Sequence, residues 1–487
     1  MNLKRHIKEE RIFRFKLGRD AWFVITFITT IMLFLCLFVG FGSDFTSLFL
    51  LWSGYFLTAL AISVGAVRSG IYGYGFWLPV IAGYPLLTPL LVQSLLGIEY
   101  FSFFARELQS VERLGEPIFV ASLACIVLSI CVHDPHKYNE KYRSFRRRIR
   151  KSVIGKDTAC LLLVLSIPMI IIFAWATEPG RIVGQVAYRQ LMDERISGLR
   201  FAGGAWVVFE VVGLAAYLSL RKRGRGLLKA CYWIATFVSF VWLFLHARRS
   251  ETIGFALLLF CLFRPSRIQV RQILRRWLNI RTAVFGVIVL MFSLIGYYRT
   301  TLDFSALNQD DYVQAPGGSG NNLLTYIAGF HLYKNDRLSS WPGETYWWHL
   351  VNLPPEAITS ALGGSKAPSA YSVVERSIPL MGGEYWLMEP MMNFGYFGIG
   401  GYALLIGFVA RSCVRKLRRY LASAATFHSF VQAATFLALI FRTLWYGPDA
   451  MINGAIMALI VGGGVQLALS FSRASGHISV RALQNGE

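Results

Sequence analysis

Residues 158 to 176 read TACLLLVLSIPMIIIFAWA, a run without a single charged side chain. An apolar helix of about 20 residues crosses the hydrocarbon core of a bilayer. Similar runs recur along the 487 residues of the chain, which is 55% hydrophobic and 16% charged, whereas a globular protein has about 25% charged residues. The sequence therefore predicts an all-α, polytopic membrane protein and excludes a soluble enzyme.

Hydropathy predicts about twelve transmembrane helices. They cover residues 21–40, 45–67, 73–96, 118–132, 158–176, 201–220, 227–245, 252–263, 282–298, 391–410, 421–440 and 451–471. The eighth, residues 252–263, is too short to span a bilayer unless residues 247–251 also lie in the membrane.

The positions of Lys and Arg predict that both termini are cytoplasmic, because basic loops are retained on that side of the membrane. With the amino terminus inside, 35 of the 49 basic residues fall in inner segments. The formal net charge of +22 is then a topology signal in contact with anionic lipid headgroups. We expect membrane lipids as partners and no nucleic acid.

These spans divide the chain into five parts. They are a basic cytoplasmic amino terminus (1–20), transmembrane helices one to nine (21–298), a large outer loop (299–390), transmembrane helices ten to twelve (391–471) and a cytoplasmic tail (472–487). An outer loop at 177–200 is rich in Arg and contains no Lys. The second half of the sequence does not repeat the first, which disfavours a transporter built from inverted repeats.

The outer loop at 299–390 is too aromatic to be disordered. Its aromatic residues include Trp341, Trp347, Trp348, Trp386, Tyr326, Tyr333, Tyr346, Tyr371 and Tyr385. We predict a small, mostly helical cap. Aromatic rings beside acids and amides commonly bind sugars, because the C–H face of a sugar stacks on a ring; the alternative is an aromatic belt at the membrane interface.

Several arginines lie where a charge is costly. Arg248 and Arg249 precede the short eighth span, at or below the outer membrane surface, and ionisable groups at such depth usually line a polar cavity. A guanidinium suits the paired oxygens of a phosphate, so we expect this pair to bind a lipid pyrophosphate; the alternative is that the two arginines form ion pairs with Glu251 and another acid of the outer loops.

Five other outer arginines are candidates for the same role: Arg181, Arg189, Arg299, Arg376 and Arg442. The first two belong to the 177–200 loop, where a solvated surface helix is the alternative interpretation. For the other three the alternative is a local salt bridge.

The proton acceptor of such a site has three candidates. Glu384 and Glu389 lie in GEYWLMEPMMNFGYFG (383–398), which leads into the tenth span, and His331 lies in the cap. Each has the chemistry to take a proton from a sugar hydroxyl; the alternatives are an ion pair or helix cap for the acids and simple packing for the histidine. Trp386 and Asn393 in the same stretch are candidates for binding the glycan. No metal-binding motif occurs, and we predict no metal and no cofactor.

Four of these features together resemble a family. They are the two inner termini, the Arg248-Arg249 turn before a short helix, the large late outer loop, and the return through Glu389-Pro-Met-Met-Asn393-Phe394-Gly395-x-x-Gly398. This combination resembles the bacterial oligosaccharide repeat-unit polymerases, called Wzy-type or O-antigen polymerases, and more distantly the O-antigen ligases.

The resemblance implies a GT-C-like helical glycosyltransferase in the bacterial inner membrane, with its active site facing the periplasm. The donor would be a glycan on undecaprenyl pyrophosphate, and the acceptor would be the non-reducing end of another lipid-linked unit. Products would be O-antigen, enterobacterial common antigen or exopolysaccharide, made without a nucleotide sugar. It also implies a chain-length regulator protein as a partner.

Two other functions remain open at this point. A ligase would transfer the finished glycan to lipid A core. A flippase or transporter of lipid-linked glycan would also need arginines for the diphosphate.

Overall fold

The computed structural model describes thirteen stretches of the chain. They are residues 45–69, 73–96, 111–132, 154–177, 202–220, 225–245, 249–262, 319–335, 343–351, 374, 385–421, 426–447 and 449–484. Almost all of these residues are α-helical, and none of them forms a β-strand. The prediction of an all-α protein is confirmed for this part of the chain.

The described helices are numbered here in chain order. They are α1 (Phe45–Ser69), α2 (Tyr74–Leu96), α3 (Val111–Cys131), α4 (Lys156–Thr177), α5 (Ala202–Leu220), α6 (Gly226–Leu245), α7 (Arg249–Leu262), α8 (Ser319–Lys334), α9 (Glu344–Val351), α10 (Met388–Leu421), α11 (Phe427–Tyr446) and α12 (Asp449–Gln484).

Six of these helices contain segments that are long and apolar enough to cross a membrane. The segments are Thr46–Ala66, Arg113–Cys131, Lys156–Ala176, Gly226–Leu243, Met388–Leu421 and Phe427–Trp445. Shorter apolar helices cover Tyr74–Leu87, Gly204–Leu220, Thr252–Leu262 and Gly454–Ala468. A helical membrane protein is therefore confirmed at this level.

The chain forms two compact units. The first contains Met1–His136, Phe304–Arg411 and Leu444–Gly447, and the second contains Lys137–Asp303, Ser412–Thr443 and Pro448–Glu487.

In the first unit, α1 and α3 pack along each other with hydroxyls at the contact. Thr58 Oγ1 and Ser122 Oγ lie 2.8 Å apart, and the Ser129 hydroxyl donates to the Ala61 carbonyl at 2.8 Å. Small residues and interhelical hydrogen bonds are the usual means of helix association in lipid, where the hydrophobic effect does not drive helices together.

Helix α8, which belongs to the predicted cap, packs against α2 and α3. Its residues from Leu323 to Phe330 are all buried. The buried Tyr326 hydroxyl donates to the Pro117 carbonyl at 3.1 Å. This part of the predicted outer loop therefore packs directly on helices that are candidates for membrane spans.

In the second unit, α5 is the most enclosed helix. Its residues 204 to 216 are buried apart from Phe209, and α4, α7 and α12 pack against it. Helix α7 also approaches α11 very closely, since a Cβ added at Gly254 would lie 1.8 Å from the Ala438 carbonyl oxygen.

We predict that Gly254→Ala destabilises the protein by about 1–3 kcal/mol, because the new methyl group meets backbone and overpacks the contact. The control is Gly226→Ala in the same unit, where an added Cβ has no atom within 4 Å. Thermal unfolding in detergent, followed by loss of the monodisperse chromatographic peak, measures both variants. Equal midpoints for the two would contradict the close approach of α7 to α11.

Candidate functional site

The chain changes direction at Gly395, inside α10. Gly395 has φ 59° and ψ −142°, a backbone conformation that is strained for any residue with a side chain. The Trp386 and Tyr402 rings lie 6.2 Å apart, whereas a straight helix would separate these positions by about 24 Å. The segment before Gly395 therefore folds back beside the segment that follows it.

Asn393 joins this turn to the amino-terminal end of α9. Its Oδ1 accepts from the backbone N–H of Gly343 at 3.0 Å and of Thr345 at 3.4 Å, groups at a helix start that lack partners within the helix. Its Nδ2 donates to Thr345 Oγ1 at 2.6 Å and to the Glu389 carbonyl at 2.8 Å. All the hydrogen-bonding positions of the amide are thus used inside the protein.

A cluster of four polar residues lies where α8 and α10 meet the start of α3. The Glu116 carboxylate forms an ion pair with Lys334 Nζ and accepts a hydrogen bond from the Tyr396 hydroxyl. The side chains of Lys334 and Glu116 are 42% and 34% exposed, so a ligand can reach both. Glu116, Lys334, Tyr396 and His331 form the polar cluster.

A proline explains how His331 is held in the polar cluster. Pro117 lies inside α3 and has no N–H, so the Arg113 carbonyl four residues earlier has no helical donor at that position. His331 Nε2 lies 3.0 Å from this carbonyl oxygen. Because a carbonyl oxygen only accepts, Nε2 carries the proton, and the lone pair of the neutral ring is on Nδ1.

The surroundings of His331 favour its neutral form. Partial burial lowers the pKa of His331 below its ordinary value, and the positive charges of Arg113 and Lys334 lower it further. The hydrogen bond to the Arg113 carbonyl and the charge of Glu116 act in the opposite direction, without reversing the shift. The neutral form of His331 therefore predominates at pH 7 and presents a nitrogen that accepts a proton.

Aromatic rings are exposed around the polar cluster. Tyr333, Phe394 and Tyr396 are 36%, 46% and 45% exposed. Phe394 stacks on Tyr346 with 6.1 Å between ring centroids, and Trp347 on the same helix as Tyr346 is 56% exposed. Exposed ring faces beside an acid, an amine and an imidazole suit the mixed apolar and hydroxyl surface of a sugar.

The structure describes five of the predicted site residues with their side chains. His331 belongs to the polar cluster. The side chains of Glu389, Asn393 and Trp386 are buried, and all three residues come shortly before Gly395 in the sequence. Trp386 faces Tyr385 and Tyr402. Arg442 is half-buried in the part of α11 that belongs to the second unit.

The site roles of the other predicted residues stay predictions, because their side chains lie outside the described part of the structure. Helix α7 begins at Arg249, whose side chain is outside the described part of the structure. Also outside it are Arg181, Arg189, Arg248, Arg299, Arg376 and Glu384.

Glu116, Lys334 and Tyr396 were not among the site residues predicted from the sequence. The available signal was Glu112-Arg-Leu-Gly-Glu116-Pro117, a charged stretch with a proline at the start of an apolar run. The residues that contact Glu116 are distant from it in sequence; Lys334, for example, comes 218 residues later.

The polar cluster offers a proton acceptor, a paired acid and amine, and ring faces. Within the described residues, no three His, Cys, Asp or Glu side chains come together in a way that could hold a metal ion. No protein-family model, curated protein or solved structure matches the chain.

We predict that Gly395→Ala destabilises the protein by about 1–3 kcal/mol, because its backbone conformation is strained for alanine. The added Cβ would also lie 2.6 Å from the Tyr333 hydroxyl oxygen. Gly401→Ala, in the same helix but with no atom within 4 Å of its Cβ, should be neutral or slightly stabilising. Thermal unfolding of both variants in detergent tests this, and a stable Gly395→Ala protein would contradict the reversal.

Proposed function

We propose that this protein is a glycosyltransferase that polymerises lipid-linked oligosaccharide repeat units. The donor is a glycan on undecaprenyl pyrophosphate, and the acceptor is the non-reducing end of another lipid-linked unit. The product is a bacterial surface polysaccharide such as O-antigen, enterobacterial common antigen or exopolysaccharide. A chain-length regulator is proposed as a protein partner.

The proposal includes the finer architecture predicted from the sequence. About twelve helices cross the bacterial inner membrane, both termini are cytoplasmic, and residues 299–390 form a periplasmic cap over a GT-C-like helical body. The polar cluster then faces the periplasm, where the lipid-linked glycan is available.

The observation that best supports this function is the polar cluster with its surrounding rings. A neutral histidine with a defined basic nitrogen and a partly exposed Glu116–Lys334 pair lie next to exposed tyrosine rings. General-base chemistry needs a group that accepts a proton near neutral pH, and a sugar acceptor needs both ring faces and hydrogen-bonding groups.

In the proposed reaction, the oxygen of the acceptor hydroxyl bonds to the anomeric carbon of the donor glycan. The bond from that carbon to the pyrophosphate oxygen breaks, and its electron pair leaves with undecaprenyl pyrophosphate. The hydroxyl proton moves to Nδ1 of His331, and the negative charge of Glu116 stabilises the imidazolium that forms. Solvent then takes the proton.

The charge that develops on the leaving pyrophosphate needs fixed cations. Arg248 and Arg249 are proposed for this role, with Arg181, Arg189, Arg299, Arg376 and Arg442 as further candidates. Glu384 and Glu389 remain alternative proton acceptors, and Trp386 and Asn393 are proposed to shape the glycan site. Asn393 would act by positioning, since its amide is fully engaged with Gly343, Thr345 and Glu389.

We predict that His331→Gln and Arg248→Ala each reduce polymer formation by at least about 100-fold, the usual scale for a general base or for a cation that stabilises developing charge. The protein is reconstituted in vesicles with undecaprenyl-pyrophosphate-linked repeat units, and the products are separated on a gel. Wild type should give a ladder of chain lengths, whereas both variants should leave the substrate intact.

The control for this assay is His428→Gln, a histidine in α11 that is outside the polar cluster; it should keep the ladder. A full ladder from His331→Gln would exclude His331 as the base. Glycan transfer only after lipid A core is added would favour a ligase instead. Movement of labelled lipid across the vesicle with no change in glycan length would favour a flippase.

We also predict the pH dependence of polymerisation. The reaction needs neutral His331, so its rate should fall as the pH drops through the pKa of this residue. Because that pKa is lowered, the midpoint should lie below the ordinary value of about 6.5. Glu116→Gln should move the midpoint to still lower pH, because the charge of Glu116 raises the pKa of His331. A midpoint above about 6.5 in wild type would contradict this assignment.

A further inference from the structure

Helix α5 contains a fully buried acid that the proposed reaction does not use. Glu210 lies in the middle of the apolar sequence AGGAWVVFEVVGLAAYLSL, residues 202 to 220, and has 0% of its surface exposed. It is the only ionisable acid or base of that helix apart from Tyr217. An ionisable side chain at such a position is costly and is by default a candidate for function.

The environment of Glu210 is built from hydroxyl groups. Thr236 Oγ1 on α6 donates to Glu210 Oε2 at 2.8 Å, and the Tyr232 hydroxyl donates to the Glu210 carbonyl at 3.0 Å. The other carboxyl oxygen, Oε1, is buried without a hydrogen-bond partner. Thr236 thus supplies the short hydrogen bond to the carboxyl group, and the Tyr232 hydroxyl lies near the same group while it donates to the backbone carbonyl.

No positive charge compensates this carboxyl group among the side chains that the structure describes. The titratable group in contact with it is Tyr232, from α6. Ser166 on α4 approaches α5 at Gly213, and its hydroxyl bonds its own helix at the Leu162 carbonyl. The described side chains of α7 and α12, which also pack on α5, add no ion pair to Glu210.

A buried carboxylate needs a cation or several donors, and without them the group takes up a proton instead. One hydroxyl donor and one orphan oxygen do not meet that need. We propose that Glu210 is an intramembrane proton-binding site, in which the proton occupies Oε1 and Thr236 holds Oε2. The site belongs to the second unit, and its ligand is a proton.

Proton release from this site requires a change in its surroundings. An anion between α5 and α6 has to gain water or further donors, because the hydroxyls of Thr236 and Tyr232 are already committed. Exchange of the proton is therefore linked to opening of the contact between α5 and α6.

Infrared difference spectroscopy tests the proposal on the full chain in lipid nanodiscs. The spectrum of wild type minus Glu210→Gln should contain the carbonyl stretch of a neutral carboxylic acid at neutral pH. The matched control is Glu116→Gln, which should remove a carboxylate band instead, since Glu116 is paired with Lys334. In Thr236→Val the acid band should move to higher frequency, because the hydrogen bond to Oε2 is lost.

Reversible replacement of the acid band by a carboxylate band at alkaline pH would support a site that exchanges its proton. A carboxylate band at neutral pH would overturn the proposal. Loss of the acid band on adding sodium ions at constant pH would also overturn it, because the site would then bind a metal cation. Should Glu210→Gln fail to fold, an acid band that is identical in wild type and Thr236→Val would still count against Glu210.

Discussion

Polar groups in an apolar interior must find partners on the protein itself, because the lipid core has no water to bind them. In the first unit, three aromatic side chains meet this constraint by donating to backbone carbonyls of α2 and α3. Tyr385 donates to Ala82 at 2.7 Å, Trp445 to Ile81 at 3.0 Å and Tyr326 to Pro117 at 3.1 Å. These bonds anchor α8, the start of the Gly395 reversal and the end of α11 on the same pair of helices, and so they position the polar cluster.

The helices themselves were largely predictable, because they depend on local apolar composition. The run at 158–176 lies inside α4, Lys156–Thr177, and the run at 201–220 corresponds to α5, Ala202–Leu220. The reversal at Gly395 was not predicted. It depends on one positive φ angle and on bonds from Asn393 to residues about 50 positions earlier, and neither leaves a hydropathy signal.

The site was predictable only in part, for the same reason. His331 was a candidate base because of its residue type and its place in an aromatic loop. Glu116 could be assigned to the site only from its contacts with Lys334 and Tyr396 in the structure. Glu210 is a different case. A single acid in an otherwise apolar run is visible in the sequence, but it was not among the predicted site residues, and its full burial beside Thr236 is what marks it as a costly group.

The two acids show how the available donors decide what a carboxyl group does. Glu116 has an ammonium, a phenol and access to solvent, so it stays ionised and can stabilise a positive charge on His331. Glu210 has one threonine hydroxyl and no solvent, so the proton itself must remove the charge.

The state of His331 is also decided by the partner that is available. Pro117 has no N–H, so the Arg113 carbonyl is available to accept a hydrogen bond from His331. A backbone acceptor thus fixes which ring nitrogen is basic, and the chemistry of the cluster follows from a proline in a neighbouring helix.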